Sequence, residues 1–387
     1  MIAITREENK KILLKILKVN IFWHILVSAI MIISVVAMGQ KGPDLALSNF
    51  NNILQPFIHW DARYFIGIAQ NGYGQSPSGL PAFFPLFPLL LRGSSFLVLN
   101  IVIWGLLINF IASFGALYFL YRISYDFLKS KDLADRTIDI FIFFPTAFFL
   151  CALYTEAVFC FLCFGAFFFA RKRNWLVSNV LVAFATASRL VGIILAISIF
   201  VEYLSSIKFK IKNIRFEILY FLLAPLGLVF YSIYLNNAFG DFLFFRNAYK
   251  YGWTERNAFK PNLIQTILNQ TQFFLRLFIE RSEGWTYVLF NQSIGYIAWI
   301  AAFYAGLKSI KKLPSSYTLF IFANLFVILS QGVFDSIARY IIILFPIFIL
   351  LTDYFRYRPV KYNYYILTSA SVMILFSIMF ANGFWIG

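Results

Sequence analysis

Charged residues are scarce in this sequence. Of its 387 residues, only 13% are Asp, Glu, Lys or Arg and 61% are hydrophobic, whereas a typical soluble domain has about 25% charged residues. A folded soluble domain with this composition could not cover its surface with polar side chains. The composition therefore excludes a soluble enzyme and indicates that lipid is the main solvent of the chain.

Histidine, cysteine and the common enzymatic motifs are also scarce. The two histidines, His24 and His59, are too few for a His-based metal site, although carboxylates could still hold a divalent ion. The three cysteines, Cys151, Cys160 and Cys163, lie in apolar helical sequence, where cysteine usually behaves as a small buried hydrophobe. We predict neither a disulfide nor a metal site from them. The sequence also has no P-loop, no GxGxxG, no HExxH and no spaced Cys/His cluster.

Long apolar runs are what the sequence has instead. We predict an all-α fold class, a polytopic transmembrane helical bundle that forms a single integral membrane domain over 1–387. Residues 175–206 could form one long span, but two short helices fit better because the basic groups on both sides of this region look cytoplasmic. The eleven predicted spans are approximately 20–38, 96–121, 138–151, 156–170, 175–188, 190–206, 217–236, 287–307, 316–330, 340–354 and 363–382.

The distribution of basic residues gives the predicted orientation. The net charge of +16 does not indicate nucleic-acid binding, because the charges lie in short loops rather than on one face of a soluble domain. With a cytoplasmic N-terminus and an uncleaved first helix, 22 of the 33 lysines and arginines fall in loops assigned to the inside. This is the bias that the positive-inside rule expects. An odd number of spans then places the C-terminus outside.

Two long outer loops, at about 39–95 and 237–286, mix aromatic residues with charge, as helices lying along a bilayer surface do. The first contains HWDARYFIGIAQNGY, residues 59–73. We predict a helix from about Trp60 to Gln70, with Asp61 in its first turn. There a carboxylate can act as a helix cap within an aromatic belt, or as a general base for an acceptor hydroxyl. The candidate substrate-binding residues beside it are His59, Trp60, Arg63 and Tyr64.

Three further charged positions lie near the predicted outer ends of helices. Glu156 follows Tyr154, a candidate substrate-binding residue, where two apolar helices meet. Glu156 itself is either a simple helix-start residue or a candidate catalytic residue. Arg189 has no acidic neighbour in the sequence, so we expect a functional partner such as a phosphate. Arg339 is similar, but Asp335 lies four residues before it and could form an ordinary ion pair.

The second outer loop carries FGDFLFFRNAYKYGW, residues 239–253. It combines Asp241, Arg246, Lys250 and Trp253 with several other aromatic rings. The segment is typical of an interfacial helix whose cations meet lipid head groups. The alternative is a groove that binds a phosphate-linked lipid, with Asp241, Arg246 and Trp253 as substrate contacts.

Five segments, in order along the chain, carry a family resemblance. They are HWDARYFIGIAQNGY with PAFFPLFPLLLR (59–92), FFPTAFFLCALYTEAVF (143–159), ATASRLVG (185–192), FGDFLFFRNAYKYGW (239–253) and ARYIIILFP (338–346). Together they resemble the PIG-V-type mannosyltransferases, which have the GT-C architecture of polyprenyl-phosphate-sugar-dependent enzymes. The richness in Phe, Ile, Lys and Asn suits a prokaryotic relative in a plasma membrane, with a glycolipid acceptor other than the GPI precursor.

The resemblance implies an enzyme that moves mannose from a polyprenyl-phosphate donor, dolichyl phosphate in eukaryotes, to a glycolipid hydroxyl. In eukaryotes this family adds the second mannose of the GPI anchor precursor in the endoplasmic reticulum. Asp61 matches the acidic residue of the first outer loop, Glu156 the acidic position after the third span, and Arg189 a basic position at a helical hairpin. A small membrane subunit is a common companion of such enzymes.

These features predict an inverting single displacement at the outer or lumenal membrane surface. Asp61 would deprotonate the acceptor, and Arg189, with Arg339 or Arg246, would stabilise the departing phosphate. The rival interpretation is a lipid-linked-sugar flippase or a small-solute transporter. Transporters usually show repeated halves and ionisable residues near the bilayer midplane. Here the candidates lie at loop mouths and no repeat is visible.

Overall fold

The chain folds into helices throughout the part that the computed structural model describes. That part comprises residues 2, 4–39, 53–74, 76, 78–96, 99–248, 251, 263–280, 285–330 and 336–386, and it contains no strand. The predicted all-α fold class is therefore confirmed. In chain order the α-helices are α1 (Arg6–Met38), α2 (Asp61–Asn71), α3 (Leu86–Arg92), α4 (Ile101–Leu128), α5 (Lys131–Ile142), α6 (Glu156–Arg171), α7 (Trp175–Ser188), α8 (Gly192–Ser206), α9 (Leu226–Phe239), α10 (Phe244–Asn247), α11 (Leu263–Glu280), α12 (Trp285–Lys312), α13 (Ser315–Ser330), α14 (Ile337–Ile341), α15 (Phe345–Phe355) and α16 (Pro359–Ala381).

Several of these helices can cross a bilayer, since a span needs about 20 apolar residues. Among the described residues, five helical stretches are long and apolar enough: Arg6–Met38, Ile101–Leu128, Phe216–Phe239, Val288–Lys312 and Pro359–Ala381. Shorter apolar helices accompany them, namely α7, α8, α13 and α15. The polytopic membrane architecture is confirmed, while the number of eleven spans stays a prediction.

Two predicted spans are wrong as continuous helices. The helix expected at 138–151 ends at Ile142 and is followed by a turn and a short 3-10 helix, Ala147–Leu150. The helix expected at 340–354 is divided between α14 and α15. Pro145 lies within the first break, where it removes a backbone N–H and disfavours the α conformation of Phe144. Pro346 lies in the first turn of α15, directly after the second break, where a missing backbone N–H is tolerated. By contrast, residues 175–206 form two helices, as predicted.

The break after α5, residues 143–155, contains no α-helix and is largely buried. Other elements hold its backbone. Asn109 on α4 donates from Nδ2 to the carbonyl oxygens of Ala152 (2.5 Å) and Tyr154 (3.1 Å). The Thr146 hydroxyl donates to the Ala338 carbonyl at 2.9 Å. Irregular backbone is tolerated at membrane depth only where such partners satisfy it. These bonds therefore fix the position of Tyr154 relative to the start of α14.

The bundle has two charged ends, which we name after a residue at each. The Asp61 end contains the starts of α2 and α6. The Arg171 end contains the start of α1, the ends of α4 and α6, and the start of α5. Ion pairs connect separate elements at the Arg171 end, namely Lys15–Asp135, Lys131–Glu8, Arg171–Asp126, Arg171–Glu202 and Lys312–Asp353. Residues predicted to share the inner side thus lie together.

Close packing of α7 against α9 depends on Gly227. A Cβ atom at this position would lie 2.1 Å from the Ala183 carbonyl oxygen and 2.6 Å from the Ala187 nitrogen. Small residues of this kind let membrane helices approach each other closely. We expect Gly227→Ala to lower the free energy of unfolding by about 1–3 kcal/mol, because the backbone of α7 cannot give way as a flexible side chain can.

Thermal unfolding of the purified protein in detergent measures this effect. The matched control is Gly67→Ala on α2, where a Cβ atom meets nothing within 4 Å. An equal loss of stability in both variants would contradict the close approach of α7 and α9.

Candidate active site

Four charged side chains from distant parts of the chain meet at the Asp61 end. Arg339 donates from Nη1 to Asp61 Oδ2 at 2.8 Å. Its Nε lies 3.6 Å from Glu156 Oε1, at ion-pair distance. The same oxygen accepts a hydrogen bond from Arg189 Nη1 at 2.7 Å. The order Asp61–Arg339–Glu156–Arg189 is a continuous row of alternating charges. We call it the charge row.

The charge row is buried to different depths along its length. The exposed fractions of the side chains are 19% for Asp61, 6% for Arg339, 1% for Glu156 and 14% for Arg189. Charges are taken out of water at a high cost unless they are paired, so opposite signs must alternate here. The two ends of the row, Asp61 and Arg189, are the members that a ligand can reach.

Asp61 starts α2, as the sequence predicts. Its backbone N–H donates to the Tyr154 hydroxyl at 3.2 Å, and its Oδ2 accepts from Arg339. Within the described part of the chain, Oδ1 accepts no hydrogen bond. The residue before it, Trp60, has φ 55° and ψ −116°, a sparsely populated conformation for a bulky residue. Such strain is typical of functional sites that the surrounding structure holds in place.

Glu156 starts α6 and provides the shared counter-ion for both arginines. Its Oε2 is buried and makes no hydrogen bond to any described residue, and the same holds for Arg339 Nε. Buried polar atoms nearly always have a partner, either protein or water. The charge row therefore retains hydrogen-bonding capacity beyond the contacts it makes itself.

Aromatic rings surround the two guanidinium groups. Tyr340 lies between them, with its ring centre 5.3 Å from Cζ of both Arg189 and Arg339. Trp385, near the end of the chain, lies 5.5 Å from Arg339 Cζ. These cation–π contacts add to the stabilisation of partly desolvated arginines. The sequence analysis did not select Tyr340 as a site residue, although it lies in the quoted segment ARYIIILFP, and no signal in the sequence indicates Trp385.

Hydrogen bonds of His59 and Tyr154 hold the start of α2 in place. The His59 ring is 1% exposed, and its Nε2 donates to the Ala381 carbonyl oxygen at 3.0 Å. The Tyr154 hydroxyl, also buried, donates to the His59 carbonyl oxygen at 3.2 Å. Both residues thus have a clear structural role. Their predicted contact with substrate stays a prediction.

Arg63 and Tyr64 follow Asp61 on α2. Tyr64 is exposed and its ring stacks on Phe83 at 4.9 Å between centres, whereas Phe65 is buried against Phe87 and Tyr154. One face of α2 therefore packs into the core and the other remains open. Arg63 is partly buried.

The second outer loop contributes no described contact to the charge row. Asp241 accepts from the Leu243 backbone N–H at 2.8 Å and from Asn247 Nδ2 at 2.7 Å, so it stabilises its own turn. Arg246 is exposed on α10, a helix that packs against α9. Lys250 and Trp253 lie outside the described residues, as does Asp335, the alternative partner of Arg339.

The pairing of Arg189 differs from the sequence-based expectation in one respect. Glu156 is 33 residues away in sequence and already provides its counter-ion, so a phosphate is not needed to explain its burial. Among the described residues, no three His, Cys, Asp or Glu side chains come together as metal ligands do.

Broken apolar helices with a buried row of charges at one end define a polytopic membrane protein with a polar site close to the lipid. The chain belongs to the Mannosyltransferase (PIG-V) family, whose family model matches residues 11–252. This confirms the resemblance seen in the motifs. The matched region includes Asp61, Glu156 and Arg189, while Arg339 lies beyond it.

Curated relatives agree with this assignment. The chain is 26% identical over 183 residues to the GPI mannosyltransferase 2 of Schizosaccharomyces pombe, covering 46% of this chain and 39% of the relative. It is 35% identical over 153 residues to the GPI alpha-1,6-mannosyltransferase 2 of Cricetulus griseus, covering 37% of this chain and 30% of the relative. The similarity thus spans well under half of each relative. No solved structure matches the chain.

The shared counter-ion gives a prediction about stability. We expect Glu156→Gln to lower the free energy of unfolding by about 3 kcal/mol. The reason is that two buried guanidinium groups, Arg189 and Arg339, would be left with one carboxylate of the row, Asp61. Equilibrium unfolding in mixed micelles measures this. The control is Glu7→Gln, whose side chain is 78% exposed and pairs with Lys11 on the same helix. Its effect should stay within about 0.5 kcal/mol, and a similar value for Glu156→Gln would contradict the charge row.

Proposed function

We propose that this protein transfers mannose from a polyprenyl-phosphate-mannose donor to the hydroxyl of a membrane glycolipid. The observation that carries the proposal is the charge row. In a member of a mannosyltransferase family, it presents a carboxylate oxygen of Asp61 at one end of the row and the guanidinium of Arg189 at the other, at the end of a membrane bundle. A carboxylate and a cation are what sugar transfer from a phosphate requires, one to accept a proton and one to stabilise the leaving group.

Asp61 is the proposed general base. Its Oδ2 is held by Arg339, which leaves Oδ1 to accept the proton of the acceptor hydroxyl. As that proton moves to Oδ1, the acceptor oxygen forms a bond to the anomeric carbon of mannose. The bond between this carbon and the phosphate oxygen breaks, and the phosphate leaves with the electron pair. A single displacement of this kind inverts the anomeric configuration, through an oxocarbenium-like state.

Arg189 is the proposed partner of the donor phosphate. One of its nitrogens, Nη1, is engaged with Glu156 and Thr155, while the rest of the guanidinium fork makes no hydrogen bond to the described residues. Arginine binds phosphate through two parallel N–H groups. Arg339 and Glu156, being deeper, are positioning residues that orient Asp61 and Arg189.

Apolar surface next to Arg189 supports a lipid-linked donor. Leu190, the next residue in sequence, and Phe184 on α7 are both exposed large hydrophobic side chains. A prenyl chain could lie against this surface while its phosphate contacts Arg189. We place the site on the outer or lumenal side, because the basic loops cluster at the Arg171 end and such loops are retained in the cytoplasm.

Asp61→Asn tests the general base. We expect transfer of radiolabelled mannose from polyprenyl-phosphate-mannose to membrane glycolipids to fall by at least about 100-fold, because an amide cannot accept the proton. Asp132→Asn is the control, since Asp132 is 68% exposed at the Arg171 end, and it should transfer as wild type does. Undiminished transfer by Asp61→Asn would remove Asp61 from the mechanism. If the wild-type protein itself transfers no mannose, the transporter interpretation gains weight.

Arg189→Gln tests the phosphate contact. We expect kcat/KM for the donor to fall by about 100-fold or more, because the growing charge on the phosphate would lose a fixed cation. Initial rates at varied donor concentration measure this, with Arg358→Gln as the control. Arg358 is exposed at the Arg171 end and donates to the Tyr354 carbonyl. Equal kinetics for the two variants would separate Arg189 from donor binding.

A further inference from the structure

A polar cavity lies at the Arg171 end, away from the charge row. It has a volume of about 660 Å³ and is open to the outside between the start of α1 and the ends of α4 and α6. Because α6 has 16 residues, its two ends, Glu156 and Arg171, are about 22 Å apart along the helix axis. The cations that line the cavity are Arg6, Arg122, Arg171, Lys172 and Arg173.

These five cations differ in their acidic partners. Arg171 is neutralised by Asp126 and Glu202 at 3.4 Å each. In the part of the chain that the structure describes, the other four form no ion pair. The pKa of Lys172 is lowered, first by partial burial and then by the charge of the neighbouring Arg122. Both cations lie against the ring of Phe168, with Lys172 Nζ 4.5 Å and Arg122 Cζ 5.5 Å from its centre, so like charges are neighbours in the cavity wall.

Arg122 is the fixed member of this group. It is 6% exposed, and its Nη1 donates to Asn9 Oδ1 at 3.1 Å and to the Tyr118 hydroxyl at 3.0 Å. The rings of Tyr118 and Phe168 lie 5.9 and 5.5 Å from its Cζ. An arginine kept largely out of water without a carboxylate is costly. The guanidinium is nevertheless held in one orientation, with its remaining N–H groups uncommitted among the described residues.

We propose that this cavity binds a phosphate group carrying at least two negative charges, such as a phosphomonoester or a pyrophosphate. The arginine forks match the geometry of phosphate oxygens, and a multivalent anion balances several cations at once. The volume exceeds what a single small ion fills and is in the range of ligand pockets. The group can come from a lipid head group, since the cavity lies at the ends of two candidate membrane spans, α1 and α4, or from a soluble compound. The proposal is independent of the transferase activity.

Binding to the purified protein in nanodiscs of phosphatidylcholine tests the proposal with two probes. One is inorganic pyrophosphate, followed by calorimetry. The other is phosphatidate added to the nanodisc lipid, followed by its retention on the protein in native mass spectrometry. The variant is Lys172→Gln/Arg173→Gln, because both side chains are exposed and neither makes an ion pair with a described residue. The charge-matched control is Arg358→Gln/Lys361→Gln, on exposed residues near the same end of the bundle.

We expect the variant to lose at least about tenfold in affinity, since each cation near such a group contributes about a factor of five, while the control binds as wild type does. Loss for pyrophosphate and phosphatidate would support a general phosphate site. Reduced affinity of the variant for phosphatidate, with no binding of pyrophosphate by any form, would support a lipid site. Reduced affinity for pyrophosphate, with no retention of phosphatidate, would support a site for a soluble ligand. Binding of neither probe, or equal binding by the variant and the control, would overturn the proposal.

Discussion

Glu156 is the residue on which the geometry of the site depends. It places one carboxylate between two arginines in a region with little water, where an unpaired charge is very unfavourable. Arg339 can be buried because Asp61 and Glu156 flank it, and Arg189 because Glu156 is within 2.7 Å. Removing either inner member, Arg339 or Glu156, would leave its two oppositely charged neighbours without the charge that lies between them. The four groups therefore form one electrostatic unit, even though α2, α6, the α7–α8 turn and α14 each supply one of them.

The broken helices explain how this unit is built. Glu156 follows the break at 143–155, and Arg339 lies on α14, a five-residue helix that ends just before a second break. A continuous span would carry its side chains past the membrane surface along a straight axis. A break lets a helix begin inside the bundle, so that its first residue points into a shared interior. The cost of a break is backbone groups that lack their helical hydrogen-bond partners. The side chains of Asn109 and Thr146 offset this cost by donating hydrogen bonds to backbone carbonyl oxygens.

The sequence predicts local features of this protein well and distant pairings poorly. Helical periodicity placed α2 to within one residue, and Asp61, Glu156 and Arg189 could be selected because charge is rare in apolar sequence. Hydropathy did not reveal the breaks at Pro145 and Pro346, because both flanks are equally apolar. The partner of Arg339 is 278 residues away, while the nearest candidate in sequence was Asp335. Trp385 joins the site only through folding, since nothing near it in the sequence marks it as polar or functional.

The two ends of the bundle differ in charge balance, and this difference bears on the proposed mechanism. The charge row holds two carboxylates and two arginines, so its own charges cancel. A donor phosphodiester brings one negative charge, and its departure as a phosphomonoester would create a second. The proton taken up by Asp61 compensates this change, because Asp61 becomes neutral in the same step. Arg339 then has Glu156 as its remaining counter-ion in the row, so Glu156 neutralises Arg189 less and Arg189 can stabilise the new charge. The charge row would thus couple proton transfer to leaving-group stabilisation, whereas the Arg171 end, with its excess of cations, attracts anions.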